Sequence, residues 1–336
     1  MSPSDAVAAI LFLGVVAYAV FAGADFGCGI WDLTAGDANS GTPMRSLIDH
    51  SIGPVWEANH VWLVFVLVYL WTGFPTAFAA ISETLFVPLT LAGFGIVLRG
   101  CAFAFRKSAP TVAQARAFGA LFASASVITP FFLGAVVGGI ASGRVPLDGS
   151  GDQVTSWLNP TSVVGGALAV ATCAFLAAVF LAADATRHED TTLQRACRGR
   201  ALLAAIVTGV VALGGILPLR DDAPFLFDRL TGRGLALMVA ASVAGALTVV
   251  ALWRERPLIA RATAVTAVVL VVAGWGIAQY PWILVGAATI DDAAGNRSTL
   301  WALIAVFGVA GVTVVPSLGY LYLLTQREKS SVQAVS

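Results

Sequence analysis

The sequence predicts an all-α integral membrane protein with about nine transmembrane helices, arranged as two four-helix bundles plus one peripheral helix. Three observations predict this class: the 336 residues are 58% hydrophobic, only 11% are charged, and the mean hydropathy is +0.86. Soluble domains carry about one-quarter charged residues, so water is not the main solvent of this chain. The formal net charge is zero and there is no basic run, which excludes nucleic acid as an expected partner.

Nine continuous apolar segments are long enough for the hydrocarbon layer, which takes about 20 residues to cross. They do not alternate between apolar and polar residues, which favours helices over barrel strands. The segments are 7–25, 54–73, 76–98, 117–140, 160–184, 201–218, 234–253, 263–285 and 299–324. Helices 1–4 (about 7–140), helices 5–8 (about 160–285) and helix 9 (about 299–324) form one domain over 1–336, with a flexible tail at 327–336.

The basic residues predict the orientation of these spans. Lys and Arg are retained on the cytoplasmic side of membrane proteins. With nine spans and the N-terminus outside, fourteen of the nineteen basic residues fall in inner connections or the tail. Eight spans would scramble this pattern, and only the acidic inner connection 26–53 opposes it. We therefore expect a multi-pass protein with its C-terminus in the cytoplasm.

Two similar stretches suggest a parallel internal repeat. Residues 21–25 (FAGAD) close the first span and residues 180–184 (FLAAD) close the fifth. Both acids, Asp25 and Asp184, are expected at the inner face. Two four-helix units in parallel repeat are one symmetry that membrane proteins use, although five apolar-rich positions also match easily by chance.

The densest polar cluster in an apolar setting opens the second span, at residues 53–62 (GPVWEANHVW). Glu57 and His60 are three residues apart and share a helix face, with Asn59 on a neighbouring face, so the acid and the imidazole could share a proton or a water. Asp25 is expected at the same depth. Ionisable groups inside a membrane often mark proton routes. Alternatively, Glu57 only caps its own helix and His60 is an interior hydrogen-bond donor.

Two further charged residues lie within or at the end of the third span. Glu83 is placed near its outer half and could serve ion-coupled transport. Arg99 ends that span at the inner face, where we expect its side chain to snorkel to the headgroups and give polar support.

The histidines bear on cofactors. Haem iron needs axial His, Met, Cys or Tyr ligands. Only His60 lies within a span, since His50 and His188 lie in connections, so a buried histidine pair from two helices is not available. The four cysteines are widely spaced and do not indicate a metal site. We expect no catalytic residue, metal ligand or haem ligand in this chain, and any redox centres on a partner subunit.

Two segments carry a family resemblance: residues 23–29 (GADFGCG) and 54–63 (PVWEANHVWL). They resemble the signature stretches of subunit II of cytochrome bd quinol oxidases. Further agreement follows in the family's order at 88–91 (PLTL), 98–103 (LRGCAF), 158–160 (LNP), 280–281 (YP) and 292–293 (DA). The resemblance covers nearly the whole chain. One departure is Ala104, where the family usually has an acid.

The resemblance implies a subunit of a quinol:oxygen oxidoreductase of the bacterial plasma membrane that is inactive alone. The expected partner is subunit I, which holds two b-type haems and one d-type haem and oxidises quinol. A small single-helix subunit, lipid and quinone are further expected partners. Asp25, Glu57 and His60 would carry protons from the cytoplasm for reduction of O2 to water. The alternative function, from another class, is an ion-coupled secondary transporter with parallel helical repeats.

Overall fold

The computed structural model describes residues 2–36, 41–52, 56–106, 108–187 and 190–333; the side chains of residues 52, 56–58, 314–315 and 318–333 lie outside that description. Within these residues the chain forms helices and one two-stranded antiparallel hairpin. The helices are α1 (Pro3–Leu33), α2 (Thr42–Ile52), α3 (Trp56–Gly73), α4 (Pro75–Thr84), α5 (Phe86–Arg106), α6 (Val112–Ala141), α7 (Pro160–Ala185), α8 (Thr191–Gly214), α9 (Ile216–Asp222), α10 (Pro224–Thr231), α11 (Leu235–Trp253), α12 (Pro257–Gln279), α13 (Ile290–Ala293) and α14 (Arg297–Gln333), and the strands are β1 (Trp282–Leu284) and β2 (Ala288–Thr289).

Seven helices of the described part are long and apolar enough to cross a membrane: α1, α5, α6, α7, α8 continued by α9, α11 and α12. An eighth arises if Asn59–Gly73 and Pro75–Thr84, which bend by 117° between them, form one span. Residues Arg297–Thr313 of α14 form a shorter apolar helix. The chain is therefore an all-α membrane protein, and the total of nine spans stays a prediction.

Local sequence signals begin most of these helices. The Ser2 side chain accepts from the backbone of Asp5 at the start of α1, and the Asn159 side chain does the same for Ser162 in α7. Asp190 caps α8 in the same way. Proline occupies the first turn of α4, α7, α10 and α12, where its missing N–H costs nothing.

Several helices differ from the predicted spans. The predicted span 76–98 is divided between α4 and α5, which continues to Arg106, and α8 begins at Thr191 instead of 201. α1 continues to Leu33, so Asp25 lies inside the helix and not at its end. α12 ends at Gln279 and not near 285, because Pro281 cannot continue a helix and residues 282–284 form β1. α14 runs to Gln333, beyond the predicted end at 324. The flexible tail stays a prediction.

Close helix packing at small residues forms the core. α1 packs against α3, α6 and α7, and α7 in turn packs against α6, α8 and α12. At Gly27 of α1, an added Cβ atom would overlap the carbonyl of Cys173 in α7. Gly134 and Gly165 place α6 and α7 equally close. Such contacts let membrane helices approach backbone to backbone. Since α1 and α6 both contact α7, across the predicted boundary of the two bundles, that division stays a prediction.

A buried ion pair as candidate functional site

A buried ion pair joins the first membrane helix to α5. Nη2 of Arg99 donates to Oδ1 of Asp25 at 2.7 Å, and Nη1 donates to Oδ2 at 2.9 Å. Nη2 also donates to the Asp25 backbone carbonyl at 3.1 Å. The Arg99 and Asp25 side chains are 3% and 0% exposed. Both carboxylate oxygens are thus held by one guanidinium in the two-pronged geometry that is strongest for this pair.

The surroundings of Arg99 complete its binding. Its Nε donates to the hydroxyl of Ser126 on α6 at 3.0 Å, and that hydroxyl donates to the Phe122 carbonyl at 2.7 Å. The guanidinium carbon lies 4.8 Å from the ring centres of both Phe26 and Phe122. Arginine between aromatic faces gains cation–π attraction. The expected snorkelling of Arg99 is therefore wrong: its partner is inside the protein, and the side chain points there.

Small residues let three helices meet around this pair. An added Cβ at Gly29 of α1 would overlap the Ser126 hydroxyl, and one at Gly95 of α5 would overlap the hydroxyl of Thr129. Among the described residues, the buried hydroxyls of Thr129 and Tyr18 have no hydrogen-bond partner. Buried donors of this kind usually bind ordered water. The hydroxyls of Thr129 and Tyr18 therefore add buried polar groups to the region around the ion pair.

A second ion pair repeats the first one two helical turns further along. Nη1 of Arg106 donates to Oδ2 of Asp32 at 2.9 Å, and Nε of Arg45 lies 3.4 Å from Oδ1 of Asp32. Asp25 and Asp32 are seven residues apart on α1, as Arg99 and Arg106 are on α5. Residues seven apart share a helix face about 10 Å along its axis. The sequence reading missed this pattern, although the equal spacing was a usable signal.

A third carboxylate ties α2 to the second half of the chain. Oδ2 of Asp184 accepts from the Ser51 hydroxyl at 3.0 Å, and Oδ1 accepts from Nη2 of Arg261 at 3.2 Å. Arg261 also lies over the ring of Phe180, 4.4 Å from its centre. Asp184 and Asp25, the two acids of the suggested repeat, therefore both bind an arginine from another helix. α2 itself was not predicted.

His60, from the polar segment 53–62, lies near the buried Asp25–Arg99 pair. His60 is half-buried, and its ring meets Phe26, the neighbour of Asp25, edge to face at 6.2 Å between ring centres. Asn59 is buried. The side chain of Glu57 lies outside the described residues, and its backbone belongs to the first turn of α3. The structure thus connects His60 to the Asp25–Arg99 pair through Phe26, and the expected common depth of Asp25 and His60 stays a prediction.

The ion pairs between connections lie at two opposite ends of the molecule. The pairs of Asp32 and Asp184 lie at the end that we call the inner end, which carries the predicted inner connections. The opposite, outer end carries Arg144, which binds Asp222, and Asp222 accepts from the backbone of Thr161 at 2.9 Å. Predicted inner and outer residues do not mix in these contacts.

Glu83 lies at the outer end and not deep in a span. It is exposed on the short helix α4, and an added Cβ at Gly149 of the connection 142–159 would overlap its carboxylate. The exposed position of Glu83 therefore does not support an enclosed ion site at this residue.

Metal ligands are not clustered in the described part of the chain. No group of three or more His, Cys, Asp or Glu side chains there could hold a metal ion. Cys28, Cys173 and Cys197 are buried free thiols, whereas Cys101 is exposed.

Comparisons with known proteins agree with one another. The sequence model described as "Cytochrome bd terminal oxidase subunit II" matches residues 4–325. "Cytochrome bd ubiquinol oxidase subunit 2" of Bacillus subtilis is 26% identical over 229 residues, 67% of this chain and 63% of that relative. "Putative cytochrome bd menaquinol oxidase subunit II" of the same organism is 22% identical over 342 aligned positions, 97% of each chain.

A solved structure is similar in fold. A chain of the bd oxidase from Geobacillus thermodenitrificans superposes with a TM-score of 0.81 and 25% identity, covering 96% of this chain and 98% of that one. The family match spans both signature stretches, the buried ion pair and most of α14. The chain therefore belongs to the cytochrome bd terminal oxidase subunit II family, whose members are subunits of a respiratory oxidoreductase.

Proposed function

We propose that this chain is the subunit of a quinol:oxygen oxidoreductase that binds no haem, packs against the haem-bearing subunit I and supplies protons for reduction of O2 to water. The two curated relatives are named for ubiquinol and menaquinol, which supports a quinol as the electron donor of the complex. The observation that carries the proposal is the buried Asp25–Arg99 pair beside His60, inside a chain matched over residues 4–325.

The redox centres belong to the partner in this proposal. The two b-type haems and the d-type haem supply quinol oxidation and oxygen reduction. His60 is the one histidine of this sequence within a predicted span, and the described residues contain no cluster of metal ligands. The predicted spans of this chain therefore do not offer two histidines as axial ligands of one haem.

The three residues predicted to carry protons have different roles in this proposal, because Asp25 is bound by an arginine. Both oxygens of Asp25 already accept from Arg99, so this carboxylate is held by a guanidinium that does not lose its own proton. We infer that Asp25 and Arg99 form a fixed pair of charges that orders the site. Glu57 and His60 then carry the protons, since an imidazole can gain and lose one near neutral pH.

The direction of proton entry follows from the proposed orientation. The inner end carries most of the arginines, and basic residues favour the cytoplasmic side. Asp32, Arg106 and Arg45 form an ion-pair layer between that end and Asp25. The N-terminus is then outside, the C-terminus is cytoplasmic, and protons enter from the cytoplasm.

Replacement of Glu57 by Gln tests the proton path. Gln keeps the size and polarity of Glu but cannot carry a proton at neutral pH. We expect quinol-driven oxygen uptake by the intact complex to fall roughly 100-fold or more, since a positioned proton-transferring group usually contributes about 100- to 10,000-fold. Haem content, read from the visible absorption spectrum of the same preparation, should stay unchanged.

Glu83→Gln is the matched control, because it removes the other acid that the sequence places in a span and that the structure places at the outer end. Its oxygen uptake should equal that of the wild type. Wild-type oxygen uptake by Glu57→Gln at normal haem content would show that Glu57 carries no protons. Loss of the haems instead would indicate that the acid only stabilises the haem site. Absence of a d-type haem from the intact purified complex would overturn the assignment as a whole.

A further inference from the structure

An arginine-rich corner lies at the inner end, where a three-residue turn joins α11 to α12. Arg254, Glu255 and Arg256 of this turn are all exposed. Glu255 has a φ of 55°, a left-handed conformation that reverses the chain sharply. As a result, the two arginine side chains project from a tight turn at the end of two packed helices.

The neighbouring helix α8 adds two more arginines to this corner. Nη1 of Arg198 binds the Glu255 carboxylate and so joins the start of α8 to the turn. Arg195, one turn earlier, is exposed and donates to the Thr191 carbonyl of its own helix. Arg195 and Arg198 of α8 and Arg254 and Arg256 of the turn thus supply four arginines to two elements that the Arg198–Glu255 ion pair joins. Within the described residues, no carboxylate lies at ion-pair distance from Arg195, Arg254 or Arg256.

Apolar side chains adjoin this positive charge. Trp253 and Leu258 flank the turn and are 77% and 75% exposed. α8 and α11, which contact each other, continue from the corner with exposed aliphatic residues. These are Leu203, Ile206, Val207 and Val210 of α8, and Val239, Val243, Leu247 and Val250 of α11. An exposed tryptophan at the end of a membrane helix is typical of the headgroup level.

We propose that this corner binds the headgroup of an anionic phospholipid, with the acyl chains along the exposed face of α8 and α11. The ligand must combine negative charge with a long apolar part, because the corner presents both. Guanidinium groups bind phosphate oxygens through two parallel hydrogen bonds. A soluble phosphate would leave Trp253 and the aliphatic face uncovered. The site does not depend on the proton path.

Lipid retention by the purified complex tests the site. The full chain, with its partner subunit, is titrated in detergent with phosphatidylglycerol or phosphatidylcholine, and bound lipid is counted by native mass spectrometry. We expect the wild type to prefer phosphatidylglycerol. Arg254→Gln with Arg256→Gln should weaken that binding roughly 30-fold, since each basic residue at the membrane surface contributes about 1 kcal/mol. Glu255→Gln should strengthen it, because Arg198 then loses its internal partner.

The control replaces two exposed arginines of the outer end, Arg220 and Arg233, by Gln. This variant should bind phosphatidylglycerol as the wild type does. Equal binding of both lipids by the wild type would overturn the proposal, as would equal losses in the two double variants. Displacement of the lipid by millimolar inorganic phosphate would also overturn it, since the corner would then be an anion site without selectivity for lipid. Unchanged binding by Glu255→Gln would exclude Arg198 from the site.

Discussion

At the scale of single residues, the Asp25–Arg99 pair shows how a charge is kept inside a membrane protein. Removing an ion from water costs several kcal/mol, and only a complete set of partners offsets this. Asp25 has the two prongs of one guanidinium. Arg99 has in addition the Ser126 hydroxyl and two aromatic faces. Each ion is stable there because the other is present.

Replacement of Arg99 by Leu should therefore destabilise the protein strongly. It leaves the Asp25 carboxylate buried without its partner, and breaking a buried pair on one side costs about 3–5 kcal/mol. We expect a clearly lower unfolding temperature of the purified complex. Adding Asp25→Asn to Arg99→Leu should restore part of the loss, because the two residues are coupled.

Arg116→Leu is the control for this prediction, since Arg116 is exposed on α6. It should unfold at the wild-type temperature. If the unfolding temperature of Arg99→Leu is no lower than that of Arg116→Leu, the buried pair contributes nothing measurable to stability. Full additivity of the two substitutions at Asp25 and Arg99 would show that they do not interact.

At the scale of the helices, the crossing of α1 and α7 sets the position of Asp25. Gly27, two residues further along α1, lies directly against the Cys173 carbonyl. Leu176 and Ala177 of α7 are buried in the same region. A backbone carbonyl cannot move aside as a flexible side chain can. The approach of α1 to α7, and with it the depth of Asp25, depends on the absence of a side chain at position 27.

Gly27→Ala should push the two helices apart. Overpacking of this kind usually costs about 1–3 kcal/mol, more than the gain in helix propensity from Ala. We expect a lower unfolding temperature and a lower haem content of the complex. Gly93→Ala is the matched control, because no atom lies within 4 Å of the added Cβ in α5. Equal stability of both variants would mean that α1 and α7 do not pack as described.

The helices also show which helix bounds could be predicted from sequence patterns and which could not. Hydrophobic length alone placed α7 close to its observed bounds, and the structure adds that Asn159 caps its start. The amphipathic helix α2 escaped notice because it is short, although Met44, Leu47 and Ile48 line one buried face. The break at Phe74, before Pro75, was visible as a turn, but the 117° bend between α3 and α4 was not.

At the scale of the whole molecule, Asp184 links regions that are far apart in sequence. It holds Ser51 at the end of α2 and Arg261 at the start of α12. α2 covers Cys197 of α8, whose Sγ lies 3.9 Å from Sδ of Met44. α2 leads directly into the segment of Glu57. The tether at Asp184 therefore holds the approach to the proposed proton path in place.

Asp184→Ala should loosen α2 from the rest of the protein. A hydrogen bond to a charged group contributes about 1.5–3 kcal/mol, so we expect Cys197, which is 1% exposed, to react with maleimide about 10-fold faster or more. The reaction is followed by peptide mapping with the exposed Cys101 replaced by Ser. Asp221→Ala removes an exposed acid at the outer end and should leave the rate unchanged. An unchanged rate in folded Asp184→Ala would contradict the tether.

The sequence by itself determined the membrane class, the approximate positions of the long apolar helices and the family, because apolar length and signature stretches are local properties of the chain. The common depth of Asp25 and His60, expected from counting along their spans, stays a prediction. Only the tertiary structure decided that Arg99 turns inward, that Asp32 and Arg106 repeat its pairing, and that Glu83 lies at the surface. The reason is physical: which partner a buried charge finds depends on helices that are distant in sequence, and hydrophobic pattern does not record their packing.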